Sequence, residues 1–140
     1  MDVLELKYSV CRDDFARAGE ASGSLKKTLK TLGFAPDLVR RVAIAMYEAE
    51  INMVIHAQGG EITANVTPEE LEIVFADVGP GIPDINLAMT AGYSTASDDV
   101  RDMGFGAGMG LPNIKKYADD LEIQTQIGVG TTVTMRFRIA

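Results

Sequence analysis

Alternation of apolar and polar residues in five segments constrains this chain more than any other feature. Residues 3–10 place leucine, tyrosine and valine at every second position, with polar residues between them. The same alternation recurs in residues 61–67, 70–77, 121–127 and 131–139. Strands with a single apolar face belong to a sheet that helices cover on one side and water covers on the other.

Helical spacing of apolar residues predicts two successive helices between the first and second strands. The first follows Asp13, a capping residue, and stops at Gly33; the second begins near Pro36 and runs to about His56. A third helix opens at residues 111–112. Because hairpins and paired helices do not fit a regular βαβ winding, we predict an α+β fold. Its architecture would be a two-layer α/β sandwich with a mixed, mostly antiparallel sheet.

Composition excludes several classes of protein. The 140 residues suit a single domain, and 46% hydrophobic with 24% charged residues is typical of a globular chain. A formal charge of −7 argues against a nucleic-acid-binding surface, and one cysteine with one histidine cannot build a zinc site. Since no apolar run approaches the roughly 18 residues of a membrane span, and the start is unlike a signal peptide, we expect a cytoplasmic protein without a membrane partner.

Glu48 and Asn52 form the first candidate site. They lie four residues apart in the predicted second helix and therefore share one of its faces. Neighbouring isoleucines suggest a covered pocket around them. The alternative, which the spacing alone favours, is an exposed pair on an amphipathic helix. Glu50 points elsewhere and is assigned to the exposed surface.

Asp77 continues the inward phase of strand 70–77, so a carboxylate enters the core side of the sheet. Burying a charge without a partner is costly, and a donor such as the exocyclic amine of adenine would offset that cost. Gly79 and Gly81 would let the backbone approach a flat ring closely. The inward Thr131 of the last strand could help hold such a base. An ordinary aspartate-containing turn is the alternative, and the phase does not decide between the two.

Four alternate glycines lead directly into the third predicted helix, at Gly104, Gly106, Gly108 and Gly110. Free backbone N–H groups and the positive end of a helix dipole make such a segment a phosphate site. Neither a Walker loop nor a G-x-G-x-x-G fingerprint fits the segment. A flexible hinge is the alternative, and we favour phosphate binding.

Taken in order, these motifs resemble the ATP-binding boxes of the GHKL superfamily, which share the Bergerat fold. The matching segments are Glu48-x-x-x-Asn52, Asp77-x-Gly79-x-Gly81, residues 104–110 and Gly130-Thr131-Thr132. The short form of the chain resembles the bacterial anti-sigma factors and serine kinases of partner switching, of the RsbT and RsbW type.

That resemblance implies a role for each matched residue. Glu48 would be the general base that activates the attacking hydroxyl, Asn52 would hold Mg²⁺, and Asp77 would bind the adenine amine. A lid of about residues 91–110 would close over the phosphates. The further nucleotide contacts that the resemblance implies are Gly79, Gly81, Ile82, Arg101, Gly104, Gly106, Gly108, Gly110, Leu111 and Thr131.

The function implied by the resemblance is that of an ATP-dependent serine/threonine protein kinase and anti-sigma regulatory factor. Its cofactors would be ATP and Mg²⁺, and its substrate a STAS-domain antagonist protein. The resemblance also implies a homodimer, and it allows a sigma factor or other regulator as a partner. The alternative is a non-catalytic, ATP-gated module that sequesters a regulatory partner. We do not expect the catalytic half of a sensor histidine kinase, because the chain starts on its first strand and ends on its last.

Overall fold

The computed structural model describes residues 4–10, 19–56, 59–78 and 110–139, and contains the predicted helices and strands. The elements are β1 (Leu4–Val10), α1 (Glu20–Thr31), α2 (Pro36–His56), β2 (Gly60–Val66), β3 (Glu70–Asp77), α3 (Gly110–Tyr117), β4 (Asp120–Gln126) and β5 (Gly130–Arg138). Strand bounds agree with the predicted ones to within one residue. The predicted start of the first helix was wrong: α1 begins at Glu20 with Gly19 as its N-cap, and Asp13, the predicted cap, lies outside the described residues.

The five strands form one sheet in the order β1-β2-β3-β5-β4. All four pairings within the described part of the chain are antiparallel. The prediction was a mixed sheet with mostly antiparallel pairings, and the described strands contain no parallel pair. The α+β, two-layer prediction is confirmed. β3 and β5 are neighbours near the middle of the sheet, and they bring Asp77 and Thr131 to the same end of it.

The apolar core lies between one face of the sheet and the helices. Leu25 and Leu29 of α1 and Met46 of α2 are almost completely buried against the inward residues of the strands. The buried sheet residues follow the alternation that the sequence displays: Ile62, Ala64, Leu71, Ile73, Phe75, Met135 and Phe137. The one-sided pattern therefore fixes which face the helices cover.

The opposite face of the sheet carries charged side chains. Arg136 of β5 lies 3.1 Å from a carboxylate oxygen of Glu72, and 3.7 Å from one of Glu70 and one of Glu122. Opposite charges on adjacent strands stabilise their pairing only modestly, because water screens them. This face belongs to the solvated side of the sheet.

α2 is the long helix of the structure, with 21 residues. Its charged residues include Arg40, Arg41, Glu48 and Glu50. Among the described residues, no helix has both the length and the apolar character needed to cross a bilayer.

Replacing Phe137 with alanine should lower the free energy of unfolding by about 3–5 kcal/mol, because a buried aromatic ring leaves a cavity that its neighbours fill only in part. Val129, whose side chain is 57% exposed in the β4–β5 turn, supplies the control. Val129→Ala should change the value by less than about 0.5 kcal/mol. Urea denaturation measures both, and similar small effects would contradict the placement of Phe137 in the core.

Candidate functional site

Asp77 is the last residue of β3, and its half-buried side chain continues the inward row of that strand. The backbone N–H of Thr131 donates a hydrogen bond of 2.9 Å to Asp77 Oδ1. Burial raises the pKa of the Asp77 carboxyl above its ordinary value, and the Thr131 bond opposes part of that rise. No donor among the described residues reaches Oδ2. One carboxylate oxygen is thus held by the sheet, and the other lacks a partner within that part of the chain.

Two glycines flank Asp77 on the adjacent strands. Gly60 of β2 is its register partner, and a Cβ there would lie 2.8 Å from Asp77 Cα and collide with the carbonyl oxygen of Ala76. A Cβ at Gly130 of β5 would collide with the carbonyl oxygen of Asp77 and lie 3.4 Å from its Oδ1. The strands therefore approach Asp77 more closely than any side chain would permit. Neither role was predicted, because both glycines have the sequence context of turn residues.

The side-chain hydroxyl of Thr131 forms a hydrogen bond with that of Thr125 on β4. Their Oγ1 atoms are 3.0 Å apart, and Thr125 Oγ1 also lies 3.4 Å from the carbonyl oxygen of Gly130. Thr131 is buried on the inward face, as predicted. Thr125 was not predicted, although the sequence contains a detectable signal for it. Thr125 is a polar residue in the row of Leu121 and Ile123, just as Asp77 interrupts the row of Phe75.

Glu48 lies on α2 with its side chain half-buried and directed toward α3. Asn113 Nδ2 of α3 donates a hydrogen bond of 3.4 Å to Glu48 Oε1. The exposed-pair alternative therefore does not describe Glu48. Asn52 follows one turn later on the same helix, and its side chain is outside the part of the chain that the structure describes. Asn113 was not singled out by the sequence, because its partner lies 65 positions away.

The C-terminal part of α2 lies at the Asp77 end of the sheet. A Cβ at Gly60 would touch both Met53 Cε and Asp77 Cα, so Met53 packs directly over this end of β2 and β3. The N–H of Val78 also donates to the carbonyl oxygen of Gly59, at 3.1 Å. Since Met53 directly follows Asn52, the fold brings that part of α2 and the end of β3 together.

The remaining predicted contacts fall largely outside the described residues. These are Gly79, Gly81, Ile82, Arg101, Gly104, Gly106 and Gly108. Gly110 and Leu111 are the first two residues of α3. The predicted lid of about residues 91–110 likewise lies outside the described residues, apart from Gly110. The roles assigned to these residues stay predictions.

The assignment of Glu50 to the exposed surface was wrong. Its side chain is 2% exposed and accepts hydrogen bonds from the backbone N–H groups of Gly19, Ala21 and Ser22. The helical period correctly turns Glu50 away from Glu48. However, the face it turns to is covered by the start of α1, which the period of a single helix does not reveal.

The fold is an α+β domain with helices on one face of an antiparallel sheet. A family model described as the histidine kinase-like ATPase domain matches residues 11–137. The chain belongs to this family, and the resemblance that its motifs show to the GHKL superfamily is confirmed.

Curated relatives include a kinase and an anti-sigma factor. The chain is 32% identical over 112 residues to the serine/threonine-protein kinase RsbT of Bacillus subtilis, covering 77% of this chain and 78% of the relative. It is 30% identical over 146 aligned positions to the anti-sigma F factor of Clostridium acetobutylicum, covering 98% and 94% respectively.

Solved structures share the fold at low identity. The crystal structure of the RsbU and RsbW domains of Rv1364c from Mycobacterium tuberculosis aligns with a TM-score of 0.60 at 15% identity. The alignment covers 99% of this chain and 33% of that one, so the present chain spans about one third of its length. The mycobacterial sensor histidine kinase MprB aligns with a TM-score of 0.56 at 16% identity, covering 96% and 97%.

Gly130→Ala should lower the free energy of unfolding by roughly 1–3 kcal/mol, because the added methyl group meets the Asp77 carbonyl and forces the strands apart. Gly23, inside α1, is the matched control, since a Cβ there meets nothing within 4 Å. Gly23→Ala should raise stability by up to about 1 kcal/mol through helix propensity. Denaturant titration measures both, and a stabilising Gly130→Ala would refute the close approach.

The raised pKa of Asp77 predicts a pH-dependent effect of Asp77→Asn. The native state binds the Asp77 proton more tightly than the unfolded chain does. This contribution to stability is complete below the ordinary pKa of 3.8 and is lost as pH rises through the native pKa. The stability of Asp77→Asn relative to the unsubstituted protein should therefore be greater at neutral pH than in acid, where the penalty on the ionised form disappears. Urea denaturation at several pH values gives the comparison.

Asp37 provides a control of opposite sign. A hydrogen bond from Arg40, supported by Arg41, holds the pKa of the exposed Asp37 carboxyl below its ordinary value. Its contribution is present above 3.8 and is lost as pH falls through the native pKa. Asp37→Asn should thus be less stable than the unsubstituted protein at neutral pH, with the difference fading in acid. Parallel pH profiles for the two variants would contradict the opposite pKa shifts of Asp37 and Asp77.

Proposed function

We propose that this protein is an ATP-dependent serine/threonine protein kinase of a bacterial partner-switching system, which phosphorylates a STAS-domain antagonist protein. The observation that carries the proposal is Asp77. Its half-buried carboxylate has one oxygen bonded to the Thr131 N–H, and the described residues provide no donor for the other. An amine N–H of adenine would donate a hydrogen bond to that second oxygen and so offset the cost of burying the carboxylate.

The adjacent strands place no side chain beside Asp77. Gly60 and Gly130 lie so close to β3 that a Cβ at either position would collide with the backbone of Ala76 or Asp77. The buried Thr131 hydroxyl, fixed by Thr125, adds a polar group on the same inward face. An acceptor-rich site of this kind favours the amino group of adenine over the carbonyl group that guanine carries at the same position.

Glu48 is the residue we assign to the transfer itself. Its carboxylate would take the proton of the substrate serine or threonine hydroxyl, whose oxygen then attacks the γ-phosphorus as ADP leaves. The hydrogen bond from Asn113 orients one oxygen of Glu48, and the half-buried position limits water around it. Phosphoryl transfer requires mainly such positioning together with neutralisation of charge.

Asn52 would hold Mg²⁺, and its amide oxygen is a suitable ligand for this hard cation. When bound, Mg²⁺ neutralises charge on the β- and γ-phosphates. Within the described ranges no group of three His, Cys, Asp or Glu side chains could hold a metal ion.

The names of the curated relatives favour a second candidate. One relative is named a kinase and another an anti-sigma factor, a name that describes binding. The same pocket could act as an ATP-gated module that sequesters a sigma factor or other regulator without phosphate transfer. We also propose the homodimer that the motif resemblance implies, as the form in which either activity operates.

Glu48→Ala should lower phosphate transfer to a STAS-domain protein by about 10²–10⁴-fold, since a general base contributes that much, while ATP binding is largely kept. Asp77→Asn should instead weaken ATP binding by about 10–100-fold, through loss of a charge-assisted hydrogen bond. Radiolabelled transfer and calorimetric titration with Mg-ATP measure the two effects. Glu69→Ala, in the exposed β2–β3 turn, should change neither.

Three other outcomes would each reject a different part of the proposal. Transfer that survives Glu48→Ala would remove the base assignment. ATP-dependent capture of a partner without any transfer by the unsubstituted protein would replace the kinase with the binding module. Absence of ATP binding by the unsubstituted protein would reject both.

A further inference from the structure

Glu50 is a buried carboxylate that the proposed reaction does not use. Its Oε2 accepts the N–H groups of Gly19 and Ala21, both at 3.1 Å, and its Oε1 accepts that of Ser22 at 3.0 Å. The three donors lie at the very start of α1, whereas Glu50 lies on α2, some 30 positions later along the chain. A buried carboxylate needs hydrogen-bond donors, and Glu50 has three from the start of α1. These hydrogen bonds make a specific contact between α1 and α2.

α1 requires a cap from outside its own sequence. The first amides of a helix have no partner within the helix, and a Ser, Thr, Asp or Asn at the N-cap normally supplies one. Gly19 is the N-cap, with φ +91°, and it offers no side-chain bond. A Cβ at this position would lie 2.9 Å from Cε1 of Tyr47. Because the positive φ and the nearby Tyr47 ring both disfavour a side chain at Gly19, the carboxylate of Glu50 takes the capping role, at the positive end of the helix dipole.

Two side chains of α2 point in opposite directions and connect it to the neighbouring helices on either side. Glu48 and Glu50 are two positions apart, which corresponds to about 200° around a helix of 3.6 residues per turn. Glu50 binds α1, and Glu48 accepts the hydrogen bond of Asn113 on α3. Any rotation of α2 that turned Glu48 away from α3 would therefore also pull Glu50 away from the amides of α1.

We propose that Glu50 is a positioning residue for Glu48. By binding the first amides of α1, it fixes the rotation of α2 about its axis and so holds the Glu48 carboxylate at Asn113. This inference rests on the proposed role of Glu48 as the base. Asp77 is held separately, by β5, so the contact with adenine should persist in a Glu50 variant, whereas Asn52, one turn from Glu48 on α2, would move together with Glu48.

The variant that tests the proposal is Glu50→Gln, which keeps the shape of the side chain but turns one acceptor into a donor facing an N–H group. We expect phosphate transfer to fall by about tenfold or more, because a displacement of the order of 1 Å is enough for such a loss. Measured without Mg²⁺, the dissociation constant of a non-hydrolysable ATP analogue should change by less than about twofold, because Asp77 keeps its Thr131 bond and Asn52 is assigned only to Mg²⁺.

Ser22→Ala is the matched control. It removes the hydrogen bond from Ser22 Oγ to the carbonyl oxygen of Gly19, at 3.0 Å, and keeps the Ser22 N–H that binds Glu50. It disturbs the same turn of α1 without releasing the carboxylate, so transfer should be retained. Equal losses of transfer in Ser22→Ala and Glu50→Gln would show a general effect on α1 and overturn the proposal.

A readout independent of activity separates this proposal from the proposed function. The side-chain amide of Asn113 reports the position of Glu48, and its NMR signals should shift in Glu50→Gln toward those of Glu48→Gln. If the unsubstituted protein transfers no phosphate, the kinase proposal fails while this measurement still decides on Glu50. Unchanged Asn113 signals would overturn the positioning role.

Glu50→Asp keeps the test decisive if Glu50→Gln does not fold. The shorter carboxylate retains its charge but is withdrawn by one methylene group from the α1 amides. We expect the Asn113 signals to move in the same direction by a smaller amount, with analogue binding unchanged. A folded Glu50→Asp protein with normal Asn113 signals and normal transfer would reject the proposal.

Discussion

The constraint on which the rest of this structure depends is a carboxylate at the half-buried end of a central strand. Asp77 occupies a position where β3 would otherwise place another hydrophobic residue, beside Phe75. The sheet compensates only in part, through the Thr131 N–H. A half-buried carboxylate that the sheet satisfies on one oxygen is suited to a ligand that carries its own donor.

The second organising element is α2, which presents a different interaction on each of its faces. Its apolar face, with Met46, packs on the sheet, and Met53 covers the Asp77 end. Glu48 contacts α3 and Glu50 contacts α1. One helix therefore joins the core, both neighbouring helices and the candidate site, and we propose that the placement of Glu48 depends on the contacts that Glu50 makes on the opposite face.

Membership of the histidine kinase-like ATPase family fixes the architecture but neither the reaction nor the partner. The relatives include proteins named as a kinase and as an anti-sigma factor. In the function that we propose, a single nucleotide pocket serves both roles, with Asp77 of the sheet assigned to adenine and Glu48 of α2 assigned to transfer.

Much of the fold followed from local patterns. Alternation identified β3 over its full length, Pro36 marked the start of α2, and the break in the inward row singled out Asp77. Such features depend on residues two to four positions apart, where backbone geometry is the same in any protein. β4 contains a comparable signal, because Thr125 is a polar residue in the row of Leu121 and Ile123.

Contacts between distant segments were decided by the tertiary structure alone. Glu50 has the spacing of an exposed helical residue, and only the arrival of α1 makes it a buried cap. Gly60 and Gly130 have the composition of turns, and only the pairing of their strands with Asp77 makes their missing side chains necessary. The sequence by itself determined which faces are apolar and where a charge interrupts them. Which backbone amides donate hydrogen bonds to a given carboxylate depends on how helices and strands meet. That arrangement is set by packing between elements and not by the periodic pattern within a single element.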